Sequence, residues 1–170
     1  MTETYSGGAA TAYAEAQEED TLRNKYLVFV LDGLEYAVAV AHVVDIINIL
    51  PVTRVPNCPD YVTGITNLRG KIIPIIDMRL RFGKEQSTYT ERTCIIVVEY
   101  ELFVVGLIID EVSEVIVFED SQIAAPPVYN DNAGSRFISG VGHNGDGVTL
   151  ILDCERILSD ATDSPVEELH

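Results

Sequence analysis

The sequence predicts a mainly β fold made from two copies of one small, barrel-forming unit, and three observations carry that expectation. The 170-residue chain is 47% hydrophobic and only 22% charged, and it is rich in Val and Ile, whose branched side chains favour strands. Pro74 stands inside the apolar run Ile72–Ile76. It cannot donate a ladder hydrogen bond, so its strand should lie at an edge, a bulge or a barrel corner, which favours small twisted barrels over a wide central sheet. The second half also repeats the first. Ile96-Val97-Val98 lies 69 positions after Leu27-Val28-Phe29, and Val112–Ile116 lies 69 after Val43–Ile47. Phe137–Val141 lies 76 after Tyr61–Ile65, as Asp153 does after Asp77. Such self-similarity marks a duplicated structural unit, and a chain of this length can bury roughly 70% of its unfolded surface.

Residues 1–22 are Ser, Gly, Ala, Thr and Glu with two tyrosines, a composition that buries too little apolar surface to offset chain entropy, so a disordered tail is expected there. Lys25–Leu31, Asp32-Gly33 and Leu34–Val40 read as a β-hairpin around a strong turn signal. Val40, Val43, Val44 and Ile47 then fall at i, i+3, i+4 and i+7, which predicts a short helix with Asp45 and Ile46 on its other face. Pro51, Pro56 and Pro59 mark a loop. The stretch Tyr61–Phe82, YVTGITNLRGKIIPIIDMRLRF, reads as strand, turn and strand, with Gly64 and Gly70 bracketing the turn. Asp120–Ser135, with Pro126-Pro127 and an Asn/Asp/Gly cluster, reads as an exposed loop, and Gly140–Gly147 as a hairpin turn. A terminal helix is expected over Asp153–Leu158, opened by an Asp cap. The folded unit is therefore taken as 23–159, followed by an acidic tail over 160–170.

Twenty-seven acidic against eleven basic residues give a net charge of −16, a field that repels phosphates and anionic headgroups and argues against nucleic-acid binding. Solubility or a salt-rich habitat would both account for it; the three lysines, Lys25, Lys71 and Lys84, suit the second. Cys58, Cys94 and Cys154 are odd in number and far apart, which suits reduced thiols rather than a disulfide framework or a zinc site. The opening residues lack a signal-peptide pattern and no segment reaches the roughly 18 apolar residues of a span, so a cytoplasmic protein without membrane insertion is expected.

No assembled catalytic set emerges. His42, His143 and His170 are scattered, no Ser or Cys sits in a nucleophile elbow, and neither a metal-ligand spacing nor a dinucleotide fingerprint occurs. No cofactor is expected. Asp77 and Asp153 occupy equivalent places in the two copies, where a strand hands over to a helix, and capping explains them better than acid–base work. Asp110 also ends an apolar run. Arg69 differs: in an acidic chain, on a turn with Asn67, Leu68 and Gly70, it offers a rare cationic fork suited to a partner's carboxylate or carbonyl. If two barrels pack side by side, Ile46 and an apolar wall including Val105 and Val112 should lie near it. An apolar groove with an Arg at its rim suits an amphipathic helix.

The segment GITNLRGKIIPIIDMRLRFG resembles the signature of the CheW coupling proteins of chemotaxis. The blocks LVFVLDGLEYAVAVAHVVDII, VVGLIIDEVSEVI and ISGVG…VTLILDCERIL match in order, so the resemblance covers about Lys25–Ser159. It implies a CheW-like fold of two five-stranded SH3-like β-barrels around a shared core. It also implies a non-catalytic adaptor, monomeric in isolation, that joins chemoreceptor cytoplasmic tips to the regulatory domain of the histidine kinase CheA. The receptor groove would include Arg69 and Asn67, with Val43, Asp45 and Ile46 beside them and Val105 and Val112 opposite. The family commonly has Glu where this chain has Asp45, one methylene shorter. Two rival readings stand beside it: a coupling protein of another chemosensory array, or an enzyme or ligand sensor with a pocket of Asp77, Asp110 and His42.

Overall fold

The computed structural model describes residues 22–126 and 135–162; the expected tail over 1–22 lies almost wholly outside them, as does most of the tail over 160–170. Two hairpins follow from their turn chemistry. Strands β1 (Lys25–Leu31) and β2 (Leu34–Ala39) flank Asp32-Gly33, and β4 (Val62–Leu68) and β5 (Lys71–Asp77) flank Arg69-Gly70. In both turns the two central residues have positive φ, 52° and 78° in the first, 55° and 85° in the second, as a two-residue hairpin with right-handed strand twist requires.

The remaining strands are β3 (Val43–Asn48), β6 (Cys94–Tyr100), β7 (Phe103–Ile109), β8 (Glu111–Val117), β9 (Ile123–Ala124), β10 (Ile138–Asn144) and β11 (Gly147–Leu152). Helix α1 spans Met78–Arg81 and α2 spans Cys154–Thr162. Among the described residues no helix is long and apolar enough to cross a membrane. The expected terminal helix is present and longer than anticipated, so a boundary at 159 falls inside it. Both caps form: the Asp77 carboxylate accepts from the Arg79 and Leu80 amides, and Asp153 from Arg156.

The strands make two sheets, in the orders β8-β1-β2-β11-β10-β9 and β3-β6-β7-β5-β4. These are one topology written twice. The pairs Val43↔Val98 and Ile46↔Ile96 recur at the 69-residue offset as Val112↔Phe29 and Val115↔Leu27, with the same bulge between them. Gly64↔Ile75 recurs at the 76-residue offset as Gly140↔Ile151. The copies do not fold separately, however. Each sheet takes its leading hairpin, β1-β2 or β6-β7, from one copy and its other main strands from the other. Closure follows the same rule in both: the chain leaving edge strand β3 returns to bridge Ile65 through Thr53, and the chain leaving β8 returns as β9 to pair with β10.

Three expectations change here. Val40–Ile47 is not a helix: a single 3-10 turn over Val40–His42 leads into β3. Its burial alternates residue by residue, the period of a strand. VVDII satisfies both periodicities, and pairing with β6 decides for the extended form, which branched side chains also favour. Gly64 does not bracket the turn. It sits at the bulge in β4, where an added Cβ would lie 2.1 Å from the Thr53 carbonyl oxygen. Strand β5 is not at an edge but lies between β4 and β7, and Pro74 costs it no ladder bond. Its partner Ile65 exchanges hydrogen bonds with Thr53 on the other side, so the Pro74 nitrogen faces away from β4, and pairing with β7 begins only at Ile75.

One core is shared by the two sheets. Phe29, Leu31, Tyr36 and Val38 from the first pack with Ile76, Ile96, Val98 and Leu107 from the second, sealed by Phe137, Ile157 and Leu158. The second barrel also encloses a smaller cluster of Ile73, Ile75, Ile95, Val97 and Ile108. Arg81, buried, lies with its guanidinium 4.1 Å from the Tyr61 ring and 4.3 Å from the Phe137 ring.

Candidate functional site

The β4–β5 turn carries Arg69 to the strand at the opposite edge of its sheet. The Arg69 Nη2 donates to Asp45 Oδ2 at 2.9 Å, and the other carboxylate oxygen, Oδ1, accepts the Ile46 amide at 2.9 Å. The arginine side chain is 77% exposed and the aspartate 27%, so the pair forms a surface clasp across the closed barrel. The first partner of Arg69 is thus a carboxylate of its own chain. Asn67 has a structural task as well: its Oδ1 accepts the Gly70 amide at 2.9 Å and shapes the turn that holds Arg69 out, a local side-chain bond typical of Asn in turns.

Apolar side chains flank the clasp. Val44, Ile46 and Ile72 are large and exposed. Val43 and Val112, equivalent in the repeat, sit half-buried on the rim of the shared core, where β3 and β8 begin. Val105 does not belong to this surface. It is 1% exposed, inside the core, because β7 runs through the middle of its sheet with neighbours on both sides. Cys94 joins the rim: it pairs with Asn48 of β3, and its thiol faces the Val112 amide. Burial raises its pKa above the ordinary thiol value, with the Val112 amide opposing. Nothing in its spacing marks Cys94; only the passage of β7 into β8 brings it there. The rim therefore comprises Arg69 and Ile72, then Val43, Asp45 and Ile46 along β3, with Cys94 and Val112 at the far end of that strand.

Of the three residues of the rival pocket, Asp77 and Asp110 come together in one small cleft, and His42 is not among the residues that line it. His42 lies against Tyr100 with its ring tilted by 56° and the centroids 5.3 Å apart. Asp110 takes the Arg79 guanidinium at both carboxylate oxygens, 2.8 Å from Nε to Oδ1 and 2.6 Å from Nη2 to Oδ2, and accepts the Asp32 amide. Lys84 and Arg79 also hold Asp32, at 3.2 and 3.6 Å. Burial pushes the Asp110 pKa up, but its hydrogen bonds and the Arg79 charge outweigh burial and leave it below the usual carboxylate value. Asp77 shows the opposite balance: burial outweighs its capping bonds and holds its carboxyl above the usual value. Asp77, Arg79 and Asp110 line one small cleft with Ser87, Thr88, Tyr89 and Thr93, where the charged groups are engaged with one another. Among the described residues no group of His, Cys, Asp and Glu is arranged to hold a metal.

The profile of the CheW-like domain matches residues 25–162. The chain is 36% identical over 152 residues to the chemotaxis protein CheW of Klebsiella aerogenes, covering 89% of this chain and 90% of that protein. It is 32% identical over 143 residues to the chemotaxis protein CheW of Helicobacter pylori, covering 84% and 86%. Among solved structures it is similar to the scaffolding protein TtCheW of Thermoanaerobacter tengcongensis, at 34% identity and a TM-score of 0.70, covering 76% of this chain and 88% of that one. A profile that spans the whole described fold, together with full-length relatives above 30% identity, means that this chain belongs to the CheW-like family.

Proposed function

We propose that this chain is the non-catalytic coupling protein of a chemotaxis array, joining the cytoplasmic tips of chemoreceptors to the regulatory domain of the histidine kinase CheA at the inner face of the membrane. The observation that carries the reading is the rim itself: an exposed arginine, clasped but still accessible, beside a row of exposed and half-buried apolar side chains. An apolar row with a charged group at its end suits one face of a helix. A receptor tip, being a helical hairpin, would lay its apolar positions against Ile46, Val43 and Val112 and offer a carboxylate or carbonyl to Arg69. Asp45 sets the reach of that arginine, since both its oxygens are occupied and the guanidinium is anchored from one side only.

The test is a titration of the purified protein with a receptor-tip fragment and with a CheA regulatory domain, singly and together, over a range of salt. Formation of a ternary complex supports the coupling role. Failure to bind either component at any ionic strength would remove it.

A further inference from the structure

The rim has a counterpart on the other barrel, and the two halves are not equally charged. At the repeat offsets, Val43 corresponds to Val112, Asp45 to Glu114, Ile46 to Val115 and Ile72 to Val148. The apolar members match in kind and in exposure: Ile72 is 56% exposed and Val148 50%. Val43 and Val112 both pack against the one shared core, so the two half-surfaces border the same core and are related by the pseudo-symmetry of the fold. An apolar surface of this kind would accept a two-helix partner in either of two orientations.

The turns at its ends break the equivalence. Arg69-Gly70-Lys71 on one side becomes Gly145-Asp146-Gly147 on the other. Counting the clasp, the first end holds Arg69 and Lys71 against Asp45, a balance of one positive charge; the second holds Glu114 and Asp146 with no basic residue at the matching positions. Among the described residues no ion pair engages Glu114 or Asp146. We propose that this charge asymmetry, set by Arg69 and Lys71, fixes the polarity of the helical hairpin that docks across the surface. The acidic end of the partner's contact face lies over the β4–β5 turn, and its basic end over the β10–β11 turn beside Glu114 and Asp146. The inference rests on the receptor-binding reading given above. It adds that Arg69 is an orientation-determining residue, because misaligned like charges are the usual means by which a symmetric apolar surface rejects a wrong pose.

The backbone permits a direct exchange. Gly145 has φ +62° and an added Cβ there meets nothing within 4 Å, while Arg69 already occupies the matching turn position at φ +55°. A receptor-tip hairpin fragment with a nitroxide at one end of its contact face is bound to isotope-labelled protein, and broadening of the Lys71 and Gly147 amide signals is read. In the unaltered protein one of the two turns broadens. Arg69→Gly, which narrows the charge difference between the two ends from three to two, weakens the preference, and Arg69→Gly with Gly145→Arg and Asp146→Lys, which leaves no net charge at the first end and one positive charge at the second, moves the broadening to the opposite turn. The triply substituted protein, folded and bound in the original orientation, overturns the inference and leaves the receptor reading standing. No binding by the unaltered protein overturns both.

Discussion

Arg69 and Asp45 stand 24 residues apart in the chain, yet their side chains meet at 2.9 Å and join the turn after one edge strand of the second sheet to the strand at its other edge. An exposed pair of this kind contributes roughly 0–1 kcal/mol to stability, so its importance lies in where it holds the guanidinium. Arg69→Ala should therefore leave the urea midpoint nearly unchanged while weakening receptor-tip binding by about 2–4 kcal/mol, the range for losing a charged bond at a desolvated contact. Calorimetric titration and urea denaturation on one preparation separate the two effects. Full affinity in the variant would remove Arg69 from the site.

The β4–β5 hairpin that presents Arg69 depends on two glycines for different reasons. Gly70 has φ +85° and open space around it, so Gly70→Ala meets only backbone strain of about 1–2 kcal/mol. Gly64 lies in the strand, and a Cβ there would strike the Thr53 carbonyl oxygen and approach the Val52 side chain at 2.7 Å. Gly64→Ala must displace the segment that closes the barrel, and such overpacking costs about 1–3 kcal/mol in addition to the strain of φ +154°. Denaturant melts should rank Gly64→Ala as the more destabilising. The reverse order would mean that the Val52–Thr53 segment yields easily.

Much of this architecture is legible in the sequence because its signals are local. Asp32-Gly33 marks the first hairpin, the glycine after Arg69 marks the second, and the aspartates closing apolar runs mark two helix caps. The repeat offsets foretell matching strand pairs down to a shared bulge. What escapes is what depends on distant pairing. VVDII suits a helix as well as a strand until β6, nearly 50 residues on, is laid beside it. Val105 is a plausible wall residue until β7 is found at the middle of its sheet, and Cys94 reaches the rim only through the passage of β7 into β8. Nor does a repeat in sequence say that each barrel borrows a hairpin from the other copy.

Asp110 and Arg79 tie the end of β7 to α1 through two short hydrogen bonds, and the lowered carboxyl pKa gives this link a pH signature. A carboxylate whose folded pKa lies below its unfolded value contributes stability above the unfolded pKa and loses it as pH falls through the folded one. The contribution of Asp110 is thus complete at neutral pH and fades below about pH 4, the ordinary Asp range. Asp110→Asn should lower the melting temperature at pH 7 and flatten the acid limb of the stability curve. An acid limb of unchanged steepness would place the stabilisation elsewhere.

Asp77 should behave in the opposite sense although it lies beside the same arginine. Burial raises its pKa, so its protonated form is favoured by folding; the stability linked to that proton is complete below the unfolded pKa and is lost as pH rises through the folded one. At neutral pH the charge is therefore a burden that the capping bonds only partly relieve. Asn caps a helix about as well as Asp without carrying a charge, so Asp77→Asn should be neutral or stabilising at pH 7 and lose that advantage toward pH 4. Asp77→Ala removes the cap with the charge and should cost about 1 kcal/mol at acid pH, where the cap alone is at stake. Thermal melts of both variants from pH 4 to 7 resolve the two contributions, and an Asn variant that is equally destabilised at every pH would show that the carboxylate is needed as a charge.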